Sequence, residues 1–249
     1  MNVLELRVVS KQFGNLRAVQ GGTLSAAAGE LRAIISPNGA GKTTLFNLLS
    51  RLFAPTAGSI IFKGTDITSM LAYQRVSLGI VRTFKVTEVF PELSVRDNVG
   101  IAVAIAAGLS LRLWAGAVAR ARVERQVDEG LAATGLTAKQ DRLVGELAHG
   151  DQRATEMAMP LALRPRLLLL DEPTAGMGDQ ETSDITALIR RLHHDVQLTT
   201  VLIEHDMRVV FDLAERITVV DQGAVLADGL PEQMAANAAV QAAYLGKAA

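Results

Sequence analysis

The chain has 249 residues, 49% hydrophobic and 20% charged, with a formal net charge of −1 and a pI near 6.4. That length suits one sizeable α/β domain or two closely joined subdomains, and the apolar content excludes intrinsic disorder. The near-neutral charge excludes a global basic field for nucleic acid or an anionic membrane. The absence of cysteine excludes disulfides, thiolate zinc sites and a thiol nucleophile, and fits a reducing compartment.

Glu5 and Arg7 lie where a signal peptide would need its apolar stretch, so no secretion signal is expected. The opening third reads as β structure ending in the apolar strand Leu31 to Ile35. Ser36-Pro37-Asn38-Gly39-Ala40-Gly41-Lys42-Thr43-Thr44 follows, then a helix with Leu45, Leu48, Leu49, Leu52 and Phe53 on one stripe. Ala57-Gly58-Ser59-Ile60-Ile61-Phe62 reads as a turn into another strand. From about Val86 to Pro160 the pattern is mainly helical and rich in alanine and arginine. Its most apolar stretch, Val99 to Leu111, falls short of the roughly 20 residues a bilayer span needs, so it predicts a buried helix and membrane association only through a partner. Leu167 to Leu170 is a fully apolar run of strand length ending in Asp171-Glu172. A helix around Asp184 to Leu192 leads to the buried strand Thr199 to Ile203. Ile217 to Val220 and Ala224 to Leu226 are short strands joined by Asp221-Gln222-Gly223. Strands alternating with helices imply a mainly parallel sheet with helices on its faces, here interrupted by a helical insertion.

Ser36 to Thr44 meets the phosphate-loop pattern of Gly, four residues, then Gly-Lys-Ser/Thr (Walker A), except that Ser36 replaces the first glycine. Backbone N–H groups of such a loop, at a helix N-terminus, point at phosphates, and the helix dipole favours their charge. Gly39 and Gly41 allow close backbone approach. Lys42 would reach the β- and γ-phosphates and the Thr43 hydroxyl would ligate Mg²⁺. Asp171 ends a buried strand where it would hold Mg²⁺ through water, and Glu172 would polarise the attacking water (Walker B). The cofactors this implies are ATP and Mg²⁺.

Three further segments narrow the family. Leu147-Ala148-His149-Gly150-Asp151-Gln152-Arg153 resembles the ATP-binding cassette signature. Asp171-Glu172-Pro173-Thr174-Ala175-Gly176-Met177 resembles that family's Walker B extended into its D-loop, and Glu204-His205-Asp206-Met207 resembles its switch-histidine motif. The resemblance, to the ATPase subunits of ATP-binding cassette (ABC) transporters, runs from Val3 to Gly246. It implies an α/β fold: a P-loop NTPase, RecA-like core with a mainly parallel sheet, an N-terminal antiparallel β subdomain and an inserted α-helical subdomain. Residues 1–85 and 161–249 would form the nucleotide-binding core and 86–160 the helical signature subdomain of a single domain, 3–246. It implies a head-to-tail homo- or heterodimer, in which ATP lies between Ser36 to Thr44 of one subunit and Ala148, His149, Gly150 and Asp151 of the other. It further implies Phe13 stacked on adenine with Val19 flanking the base, Lys85 at the Q-loop position, and Glu172, His205 and Lys42 as the catalytic group. His193 and His194 are read as solvated surface.

Within the family the chain resembles the ATPases of branched-chain (hydrophobic) amino acid importers, on Gly79-Ile80-Val81-Arg82-Thr83-Phe84, Glu204 to Met207 and Ala243-Tyr244-Leu245-Gly246. The alternatives are the ATPase of a lipid or lipopolysaccharide exporter and a weakly hydrolysing regulatory nucleotide-binding subunit. The implied partners are a second cassette, transmembrane permease subunits and, indirectly, a solute-binding receptor, without nucleic acid. The implied location is the cytoplasmic face of the inner or plasma membrane. Val86 to Ala106 would hold the groove for a membrane-domain helix, with Val89, Phe90 and Leu93 on it. The chain departs from the family at Ser36, Lys85, Ala148 and Gly178, and Pro160 falls where the signature helix should run.

Overall fold

The computed structural model describes residues 1–37, 41–83, 89–109 and 117–245. The chain runs β1 (Asn2–Phe13), β2 (Leu16–Ala27), β3 (Leu31–Ile35), α1 (Lys42–Leu49), β4 (Ala57–Phe62), β5 (Thr65–Asp66), α2 (Ala72–Ser77) and β6 (Ile80–Arg82). Then come α3 (Val95–Ala106), α4 (Ala117–Thr134) and α5 (His149–Ala162), before β7 (Leu167–Asp171), α6 (Asp179–Val196), β8 (Thr199–Ile203) and α7 (Met207–Leu213). It closes with β9 (Arg216–Asp221), β10 (Ala224–Gly229), α8 (Pro231–Ala235) and α9 (Ala238–Leu245).

Two sheets result. One is antiparallel, in the order β2-β1-β4-β5; the other runs β10-β9-β3-β8-β7-β6 and is parallel except for the β9–β10 hairpin. The expected α/β architecture, an N-terminal antiparallel sheet beside a mainly parallel one, is the one observed. Strand periodicity divides the core. Leu167 and Leu169 face the antiparallel sheet and α1, whereas Leu168 and Leu170 face the layer of α4, α5 and α6. A strand buried on both faces therefore reads as an unbroken leucine run.

Several boundaries differ from expectation. α1 stops at Leu49, so Leu52 and Phe53 leave the predicted stripe and are exposed. The chain turns out of the helix at Arg51, with φ 64°, and a residue 26 positions beyond Leu49, Arg75, caps the end. Its buried guanidinium donates to the carbonyls of Leu48, Leu49 and Ile67, each at 2.7 Å, and so closes the C-terminal end of the helix. Burial, followed by the nearby Arg51, pulls its pKa down to about 10, which leaves it a cation at neutral pH. α6 begins at Asp179 rather than near Asp184, because Glu181 accepts the Gly178 N–H at 3.2 Å and caps the first turn. Pro160 lies in the last turn of α5, where it takes one N–H out of the ladder, yet the helix runs on to Ala162. His193 is not solvated surface: its Nδ1 lies 3.3 Å from the Leu198 carbonyl and its Nε2 3.5 Å from Glu215.

Candidate nucleotide site

Parallel strands deliver their C-terminal ends to one edge of the sheet, and loops there form ligand sites. β3 delivers Ser36 and Pro37, β7 delivers Asp171 and Glu172, and β8 delivers Glu204 and His205. A cavity of about 650 Å³ opens beside them, lined by Gly41, Lys42, Thr43, Thr44 and Glu172 together with Asn15 to Ala18, Gln20, Gln222 and Gly223.

Gly41 caps α1 with φ 92°, and a Cβ there would sit 2.2 Å from the Ala18 carbonyl oxygen. Gly223, in the β9–β10 turn, meets the same oxygen, where a Cβ would come within 2.7 Å. Only glycine lets both loops close on β2. The first turn of α1 carries no acidic residue and no side-chain cap, and the positive end of the helix dipole suits an anion there. Lys42 donates from Nζ to the Ser36 carbonyl at 2.8 Å, and the Ser36 hydroxyl turns to the Pro37 carbonyl at 2.7 Å. The serine that replaces glycine is thus buried and satisfied within its own loop. Asn38, Gly39 and Ala40 lie outside the described residues, as does Lys85.

Asp171 is buried, and its Oδ2 accepts from Arg82 Nη2 at 2.6 Å; the other arm of Arg82 holds Asn47 of α1 at 2.7 Å. Glu172 adopts φ 48°, a left-handed conformation unusual for a non-glycine residue, and its N–H is tied to the Ile203 carbonyl at 2.9 Å. His205 Nδ1 approaches Glu172 Oε2 to 3.8 Å. The oxygen donors at Thr43 and Asp171 suit Mg²⁺, which is held by few protein oxygens and completes its shell with water and phosphate. Among the described residues no cluster of three or more His, Cys, Asp or Glu could hold a metal by itself.

Lys42, Thr43, Thr44 and Glu172 are therefore gathered on one cavity, with His205 beside Glu172. Ala148, His149, Gly150 and Asp151 are not. They start α5, where Asp151 pairs with Lys139 at 2.6 Å and His149 lies 3.8 Å from Glu181, and none of them lines the cavity. Arg153, one turn further, donates to the Pro173 carbonyl at 2.9 Å and links the signature helix to the Walker B turn. Phe13 lies beyond the lining, edge-on to Phe53 with centroids 5.2 Å apart. Val19 is buried in the core while Ala18 lines the cavity, because neighbouring residues of a strand point to opposite faces. Sequence reasoning missed Ala18, Arg82 and the turn residues Gln222 and Gly223; the last pair carries a signal, a two-residue loop ending in glycine between short strands.

Comparison with known proteins agrees with this geometry. Residues 19–175 match the family described as ABC transporter, and residues 224–249 one described as Branched-chain amino acid ATP-binding cassette transporter. The chain is 40% identical to the high-affinity branched-chain amino acid transport ATP-binding protein BraF of Pseudomonas aeruginosa, over 99% of this chain and 98% of that one. It is 38% identical to the corresponding protein LivG of Escherichia coli K12, over the same shares. Among solved structures, the ADP conformation of MJ1267, an ATP-binding cassette of an ABC transporter, matches with a TM-score of 0.85 at 25% identity, covering 99% of this chain and all of that one. Phosphate loop, Walker B acids and full-length similarity agree, and the chain belongs to the ABC transporter family as an ATP-binding, ATP-hydrolysing cassette.

Proposed function

We propose that this cassette powers the import of branched-chain or similarly hydrophobic amino acids. The carrying observation is the similarity to branched-chain amino acid transport ATP-binding proteins at 40% and 38% identity over nearly the whole chain, supported by the separate match at residues 224–249. In this reading ATP binds across two cassettes, head to tail. Gly41 to Thr44 of one subunit take the phosphates, and Ala148 to Asp151 of the other close over them. The position of Ala148 to Asp151 outside the cavity of their own chain supports this arrangement. Thr43 and Asp171 would hold Mg²⁺, which supplies charge neutralisation on the phosphates. Glu172 takes the proton of the attacking water and His205 braces the γ-phosphate side.

Among the described residues no helix is long and apolar enough to cross a membrane, so the power stroke needs permease subunits. We assign residues 86–160 to the subdomain that meets them, at the cytoplasmic face. Phe90 is 49% exposed while Val89 packs on the core, which favours Phe90 as the apolar contact. The test is co-purification with the cognate membrane subunits and reconstitution in vesicles. ATP-driven uptake of leucine, isoleucine or valine is expected. Turnover coupled to none of them would refute the solute class while leaving the ATPase in place.

A further inference from the structure

Glu204 ends the run of β8 and is wholly buried, at 0% exposure, yet the hydrolytic roles above give it no task. Its carboxylate is the meeting point of two loops. Oε1 accepts from the Thr174 N–H at 3.2 Å and from the Thr174 hydroxyl. Oε2 accepts from the N–H of His205 at 2.7 Å and of Asp206 at 3.4 Å. The same oxygen lies 3.3 Å from His205 Nδ1, closer than the 3.8 Å separating that nitrogen from Glu172. Thr174 belongs to the tight turn after Glu172, which closes through the Ala175 N–H on the Glu172 carbonyl at 3.1 Å.

Burying a carboxylate is expensive unless its lone pairs are filled. Here donors from both loops fill them, so the acid does what an apolar residue of the same shape could not. A carboxylate accepts and does not donate. Negative charge 3.3 Å from Nδ1, against none shown beside Nε2 among the described residues, favours the ring hydrogen on the near nitrogen. We infer that Glu204 is a positioning residue for hydrolysis: it fixes His205 in its Nδ1–H form and, through Thr174, joins the switch loop to the turn that carries Glu172. The two loops then move as one unit. The inference rests on the assignment of Glu172 and His205 to the reaction.

The test begins with the unaltered full-length protein. It contains four histidines, so ¹⁵N-labelled imidazoles can be resolved, with His205→Gln as the assignment control. At alkaline pH the His205 ring is expected with its hydrogen on Nδ1; a hydrogen on Nε2 would overturn the inference without any variant at Glu204. In Glu204→Gln the amide must present a donor to one of the two loops. The ring should move toward the Nε2–H form and kcat should fall about tenfold or more, with ATP affinity within about threefold of wild type. Glu204→Asp should recover part of the loss. Wild-type kcat in Glu204→Gln, or an unchanged tautomer despite lost turnover, would refute the role. His205→Ala separates the two claims. Full turnover in that variant would sink the assignment of His205, whereas an inactive His205→Ala beside a fully active Glu204→Gln would sink only the inference about Glu204.

Discussion

Arg75→Met isolates a long-range contact on which the phosphate-loop helix depends. Methionine keeps the apolar stem of arginine but lacks the guanidinium and donates nothing. The guanidinium's bonds to the Leu48, Leu49 and Ile67 carbonyls, all 2.7 Å, would vanish in a site where Arg75 is 1% exposed. Each orphaned buried acceptor costs about 1–3 kcal/mol, and water entering an enlarged site recovers some of it. The same substitution removes a buried cation, whose desolvation is unfavourable, so the loss stays below the sum of the three bonds. A net destabilisation of about 3 kcal/mol follows, which for a chain of this size lowers Tm by roughly 6–12 °C. Since α1 also supplies Lys42, Thr43 and Thr44, ATP binding should weaken in parallel. Scanning calorimetry and a fluorescent ATP analogue would measure the two effects. Arg75→Lys keeps a single ammonium that cannot span the three carbonyls, and should fall between. A melting temperature within about 1 °C of wild type for Arg75→Met would refute the claim that this residue closes the helix.

Glu172→Gln should retain ATP affinity, accumulate an ATP-bound dimer on size exclusion, and lose about two or more decades of turnover in a steady-state phosphate-release assay. Gly41→Ala places a Cβ 2.2 Å from the Ala18 carbonyl oxygen at φ 92°, so equilibrium dialysis should find ATP binding lost while the fold persists by circular dichroism. Phe90→Asp removes an exposed ring from a loop whose backbone stays pinned by Asn98, which accepts the Phe90 N–H at 2.7 Å and donates to its carbonyl at 3.0 Å. The variant should bind ATP normally and fail to co-purify with membrane subunits. Lys85→Gln exchanges an ammonium, which cannot ligate a metal, for a carbonyl oxygen that can, so the Mg²⁺ needed for half-maximal turnover should fall.

What the sequence determined by itself was local. Lys42 follows Gly41 on a strand-to-helix junction, and four leucines precede Asp171. In each case chemistry and geometry are set by neighbours within a few residues, so spacing singles out the phosphate loop and the Asp171-Glu172 pair, whereas the reading of His205 needed the family resemblance. The limits of that reading lie where the partner is remote. Arg82 reaches Asp171 across 89 positions, Thr174 reaches Glu204 across 30, and Arg75 caps a helix it does not belong to. Nothing local distinguishes these residues from solvated ones. Their partners depend on the strand order β3-β8-β7-β6 and on which loops that order brings together. Val19 marks the boundary: its strand fixes that two neighbours face opposite ways, but only the packing of β2 on the core decides that Val19 turns inward and Ala18 toward the nucleotide cavity.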